Sequence, residues 1–176
     1  MKTKEELNEM LLNRVQDFRV TALEVELLLA LGADIQGEPP PPNRQYWFPI
    51  ITPLDVMLNV QIIRPEEFPM DICKMLIDAG SNVENALSIL AVKSEDYKIP
   101  SKLVQMLIDA GADPTAQSTI KFAKGTILDV VVRNFSDSQS SNHKNIEFAK
   151  ILVESGAQLN TEIAINVMEE LLSKIQ

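Results

Sequence analysis

The chain has 176 residues, 45% of them hydrophobic, and carries a net charge of −9. That length and apolar content suffice for one folded core or one array of small units. The acidity argues against a nucleic-acid backbone or an anionic membrane as partner, since both are polyanions, and the single cysteine, Cys73, excludes an internal disulfide.

The N-terminal MKTKEELNEM has three acids and no apolar stretch, so it does not read as a signal peptide. The spacing of Leu7, Met10, Leu11 and Val15 predicts a first helix over Lys4–Gln16, with Glu5 and Glu6 suited to its N-terminal dipole. A break at Phe18–Val20 precedes Thr21, an N-cap for a second helix over Ala22–Leu31. This helix is interrupted by Glu24 and Glu26 and is too short to span a bilayer. The outer side of this first pair is expected to be polar, because no neighbour covers it.

Ile35–Ile51 contains four consecutive prolines, Pro39–Pro42, and is expected to be an extended, polyproline-like loop. Thr52 then caps a helix with Pro53 at its first position, where a missing N–H costs nothing. That helix should end near Ile63, and Glu66–Pro69 should lead into another at Asp71–Ala79. Ser81–Glu84 leaves no room for a long hairpin before Asn85–Val92; Ser94–Pro100 then connects to Ser101–Ala110. A longer excursion, Asp113–Gly125, precedes the helix opening at Thr126. Ser136–Asn142 is polar throughout and expected to be a mobile loop, Ile146–Ser155 the next helix, and Thr161–Ile175 a closing helix with Ile163, Ile165, Val167, Leu171 and Leu172 apolar.

Four segments align on one another: LLLALGADIQ (27–36), MLIDAGSNVE (75–84), MLIDAGADPT (106–115) and ILVESGAQLN (151–160). Each is an apolar helix end, a glycine, and a small-polar exit. The glycine supplies the left-handed C-terminal cap that a residue with a Cβ adopts only at a cost. Repetition of this kind implies units that bury their faces on their neighbours, and moves the expectation from catalysis to binding.

The chain resembles ankyrin-repeat proteins, in which each unit has a TPLH-like opening, two antiparallel helices and a GAD-type exit into a hairpin. Thr52-Pro53-Leu54-Asp55 matches the opening with Asp for His; Thr126-Ile127-Leu128-Asp129 matches less well; Asn85-Ala86-Leu87-Ser88 and Thr161-Glu162-Ile163-Ala164 keep mainly the apolar third position. Gly32-Ala33-Asp34 and Gly111-Ala112-Asp113 match the exit fully, while Gly80-Ser81-Asn82 and Gly156-Ala157-Gln158 come close. The exit glycines are 48, 31 and 45 residues apart, bracketing the family's period of about 33. From exit glycine to next opening the distances are 20, 5, 15 and 5, against about 12 in the family, so two hairpins are lengthened and two cut short. The resemblance implies an all-α, ankyrin-like α-solenoid of stacked antiparallel helix pairs with irregular or shortened hairpins. It covers a single domain over 1–176, with units at about 4–34, 52–82, 85–113 and 126–158 and the closing helix 161–175.

Such scaffolds bind many partners, so the function expected is a non-enzymatic protein-interaction module. Tyr46, Trp47 and Phe48 cluster in the proline-stiffened loop with Arg44. Rigid aromatic anchors dominate interface hot spots, so Tyr46 and Trp47 read as partner contacts; Phe48 has the competing role of folding back over the helices. Pro39 to Arg44 fits a P-x-x-P-x-R ligand pattern, with a stiff spacer as the preferred reading. The resemblance implies that the inner helix face binds as well, and by register this face holds Asn59, Val60, Val92, Lys93, Arg133 and Asn134. Cys73 reads as packing and the lone His143 as an exposed loop residue; nothing in the sequence orients a Cys73–His143 dyad. No Cys or His pair has metal-ligand spacing, and there is no phosphate loop or nucleophile elbow. No catalytic, cofactor or metal site is therefore expected. The expected partner is another protein, with a basic surface the better electrostatic match, and not nucleic acid or membrane. The expected state is a monomer in the cytoplasm, or in a host cytosol after delivery without a classical signal peptide. Alternatives within the class are an acidic inhibitor or immunity-type protein that neutralises a basic partner, and a pathogen effector or adaptor. An enzyme with its site in the insertions is the reading from a different class.

Overall fold

The computed structural model describes residues 2–36, 52–120, 123–137, 145–160 and 162. Among the described residues the regular structure is helical. In chain order it comprises α1 (Lys4–Gln16), α2 (Ala22–Ala30), α3 (Pro53–Gln61), a 3-10 turn (Pro65–Glu67), α4 (Met70–Asp78), α5 (Ala86–Lys93), α6 (Ser101–Asp109), α7 (Ile127–Asp137) and α8 (Ile146–Glu154). The expected bounds agree to within one or two residues, except that α7 runs on through Asp137 into the stretch expected to be loop. The rest of that stretch, the proline-rich loop from 37, and the closing helix apart from Glu162 lie outside the described residues.

The helices start where threonines can satisfy exposed N–H groups. At Thr3/Glu6, Thr21/Glu24 and Thr52/Asp55 the threonine hydroxyl accepts from the acid's backbone N–H, and the acid accepts from the threonine's. The same exchange joins Thr126 to Asp129 at the start of α7 (2.9 and 3.1 Å). Each such cap stabilises its helix by about 1 kcal/mol. α4 and α6 start instead after Pro69 and Pro100, with no side-chain cap.

The even-numbered helices end alike. Gly32, Gly80, Gly111 and Gly156 have φ of 100°, 92°, 100° and 96°. After each glycine the next N–H reaches back to a helix carbonyl: Ala33 to Leu28, Ser81 to Leu76, Ala112 to Leu107 and Ala157 to Leu152 (2.9–3.1 Å). The glycine N–H bonds the carbonyl three residues before it. These two bonds form the Schellman cap, and the leucine and the residue after glycine are buried together in all four copies.

Packing follows from the same repetition. Each odd helix packs on the even helix after it, and α1, α3, α5 and α7 pack on one another in that order. α2 packs on α4, and α6 on α8. One contiguous apolar core runs from Leu7 and Leu11 through Leu54, Leu76, Leu90 and Leu107 to Phe148 and Leu152. Fully burying one such leucine contributes about 1.5–3 kcal/mol.

The 113–125 excursion, expected only to be long, closes on itself. Gln117 and Thr126 form an isolated antiparallel bridge, flanked by Ser118 N–H to Gly125 O (2.9 Å) and Ile127 N–H to Ala116 O (3.1 Å). Backbone groups between two helices must pair somewhere, and here they pair with each other. One expectation is corrected: the outer side of the first pair is not polar, since Leu23, Leu27 and Leu31 are 73%, 56% and 58% exposed.

Candidate partner-binding surface

The row of α3, α5 and α7 carries the register expected to form the surface. α3, α5 and α7 open at Thr52, Asn85 and Thr126, and the seventh and eighth residues after these are Asn59/Val60, Val92/Lys93 and Arg133/Asn134. Because α3 packs on α5 and α5 on α7, these six residues fall on three adjacent helices at one register. All six are half-buried.

Their chemistry is not uniform. Asn134 is engaged within the fold: its Nδ2 donates to Ala91 O (2.9 Å) and Ser94 Oγ (3.0 Å), tying α7 to the end of α5. Arg133 Nε donates to Asp129 O (3.3 Å). Val92 packs against the core. Burial holds the Lys93 ammonium below its ordinary pKa, with Asp96 opposing the shift. The Asn59 Oδ1 is buried and accepts no hydrogen bond from the described residues. A buried acceptor left unsatisfied costs about 1–3 kcal/mol.

Arg44, Tyr46, Trp47 and Phe48 lie outside the described residues, as does His143. Cys73 is fully buried in α4, and burial pushes its thiol up to about 12. A thiol held that high supplies no thiolate near neutral pH, which fits packing. Among the described residues no three His, Cys, Asp or Glu side chains gather as a metal site, and no helix is long and apolar enough to cross a membrane.

A set of buried polar residues positions this surface, and sequence reasoning passed over them. Ser88 Oγ in α5 accepts from Thr119 N–H (3.1 Å), and Asp129 Oδ1 in α7 from Asn160 N–H (2.9 Å). Asn8 Oδ1 in α1 accepts from Asp34 N–H (2.7 Å). Each bond ties the first helix of a pair to the segment after that pair's exit glycine. Other ties run between pairs. Gln61 Nε2 donates to Val15 O and Asp17 O (3.0 and 2.9 Å), closing the end of α1 from α3. Asn145 Nδ2 donates to Ser94 O and Tyr97 O while its Oδ1 accepts from Ile99 N–H (2.8 Å). A signal existed for Ser88 and Asp129, which interrupt otherwise apolar runs three residues after an opening position. None existed for Asn145, which looks like any residue of a polar loop.

One cavity of about 310 Å³ opens between the starts of α4 and α6, lined by Pro65, Met70, Lys98 and Ser101 among others. Compared with known proteins, the chain matches no family model and no curated sequence.

Proposed function

We propose that the chain is a non-enzymatic protein-interaction module, an ankyrin-like solenoid of four helix pairs that binds a partner protein through its inner helix face and the loop at 37–49. The observation that carries this reading is the repetition of one surface register on α3, α5 and α7. A surface built from adjacent repeats is contiguous and held rigid by the packing behind it, which lowers the entropy cost of binding. The net charge of −9 favours a basic partner, and an inhibitor or immunity-type role is the form this takes if one basic protein is bound tightly.

Capture with the intact chain, followed by mass spectrometry, identifies the partner. With it in hand, Tyr46→Ala combined with Trp47→Ala should weaken binding at least tenfold and leave the melting temperature nearly unchanged. Long surface insertions add only about 0.6 kcal/mol of closure cost per doubling, whereas an aromatic hot spot carries roughly 2–4 kcal/mol. Intact binding with a large loss of stability would show instead that these rings cover the helices.

A further inference from the structure

The four aligned exit segments provide an internal control for α2. Counting back from the glycines without gaps, Leu23 corresponds to Asp71, Lys102 and Glu147, all exposed. Leu31 corresponds to Ala79, Ala110 and Ser155. Where three pairs carry charged or small residues, the first carries leucines, 73% and 58% exposed. Between them Leu27 corresponds to Met75, Met106 and Ile151, which are half-buried against the core, whereas Leu27 is 56% exposed. α4 and α8 each pack on the even helix of the preceding pair, α2 and α6 respectively. Before α2 there is no such helix among the described residues.

Three leucines at i, i+4 and i+8 form one ridge about 12 Å long, which is what a packed helix accepts. The rim is acidic. Glu26 lies on one edge of the ridge, Glu24 on the other, bridged to Arg14 at 3.2 Å, and Glu6 stands on the outward side of α1. The antiparallel pairing of α1 and α2 sets Glu6 beside the Leu31 end: Arg14 meets Glu24, and Lys4 meets Asp34 at 2.9 Å.

We propose that this end of the array is a second docking surface, separate from the inner face, and that it takes one amphipathic helix of a partner protein. The apolar side of that helix covers Leu23, Leu27 and Leu31, and basic residues along its edges meet Glu6 and Glu26. A second copy of the chain is the poorer occupant. It would bring acidic rim against acidic rim in molecules of net charge −9.

The test uses two labelled 18-residue helical peptides with the same leucine ridge, one with lysines along both edges and one with glutamates, titrated into the intact protein by fluorescence anisotropy. The lysine peptide should bind at least tenfold more tightly than the glutamate peptide. The Leu23→Ser/Leu27→Ser variant should bind it at least tenfold more weakly, with an unchanged far-UV spectrum and melting temperature, because both side chains are exposed. Leu23→Ser alone serves if the double variant loses helix. The proposal is overturned if the lysine peptide does not bind, or if it binds parent and variant equally. Sedimentation showing a dimer that Leu27→Ser dissociates would also overturn it, by assigning the ridge to a second copy.

Discussion

Gly111 and Gly125 both have positive φ, 100° and 109°, but for different reasons. A Cβ added at Gly111 meets nothing within 4 Å, so only the conformation resists substitution. At Gly125 it would sit 2.9 Å from Asp129 Oδ2 and 3.1 Å from an Arg133 nitrogen. Gly111→Ala should therefore cost about 1–2 kcal/mol, the price of a left-handed residue with a Cβ, whereas Gly125→Ala should cost more because it also disturbs the α7 cap. Urea titration of both variants checks the order; equal losses would mean that the Asp129 cap is unimportant. Charge at this scale predicts acid sensitivity. Asp17 is held below its ordinary value of 3.8 by the Arg19 backbone N–H, and Glu24 below 4.5 by the Thr21 backbone N–H. The Lys4 ammonium lowers Asp34, and the Thr115 hydroxyl lowers Asp113. Groups with depressed folded-state values contribute stability that is fully present above the unfolded-state values and lost as pH falls through the folded ones. Melting temperature should thus hold down to about pH 4.5 and decline below it, each group contributing little because Asp113 is exposed and the other three are only half-buried. A melting temperature that stays flat from pH 6 to 2.5 would contradict these pairings.

At the scale of elements, the second helix of each pair holds its unit through one leucine. Leu76 and Leu107 are completely buried, and each also provides the carbonyl that closes its Schellman cap. Leu76→Asp or Leu107→Asp would place an unpaired charge between packed helices, a penalty of several kcal/mol against a total stability of roughly 5–15. Either variant should lose most of its helical signal at 37 °C, whereas Leu23→Asp, on the exposed side of α2, should not. A Leu107→Asp variant melting within a couple of degrees of the parent would refute this register. These helices were legible in the sequence because their signals are local: a threonine with an acid three residues on, an apolar stripe, and a glycine at the end. The Gln117–Thr126 bridge was not legible, because it depends on two backbone stretches meeting. The exposed Leu23 was missed because a leucine in an apolar run reads as core whichever side of the helix it occupies.

At the scale of the molecule, the candidate surface exists only if the pairs lock together, and the lock is polar as much as apolar. Gln36 Nε2 donates to Gly80 O (2.6 Å) and its Oε1 accepts from Asn82 N–H (3.2 Å), joining successive exits. Gln61 joins α3 to the end of α1, and Asn134 and Asn145 join the last pair to the one before it. Such long-range partners carry no sequence periodicity, so the register of Asn59 to Asn134 could be read in advance but the bonds that hold it could not. The most direct test is native-state hydrogen exchange at Ile99, Thr119 and Asn160. None of these amides lies in a helix, and each donates to a buried or part-buried side chain, of Asn145, Ser88 and Asp129 respectively. In an interlocked array all three exchange as slowly as the amides of α5 and α6, and Asn145→Ala selectively frees Ile99. Exchange at Ile99 as fast as in an unstructured peptide, with α5 and α6 still protected, would show that the pairs fold without locking together; fast exchange at Thr119 and Asn160 would show only that the segments after the exit glycines are not tied to their own pairs.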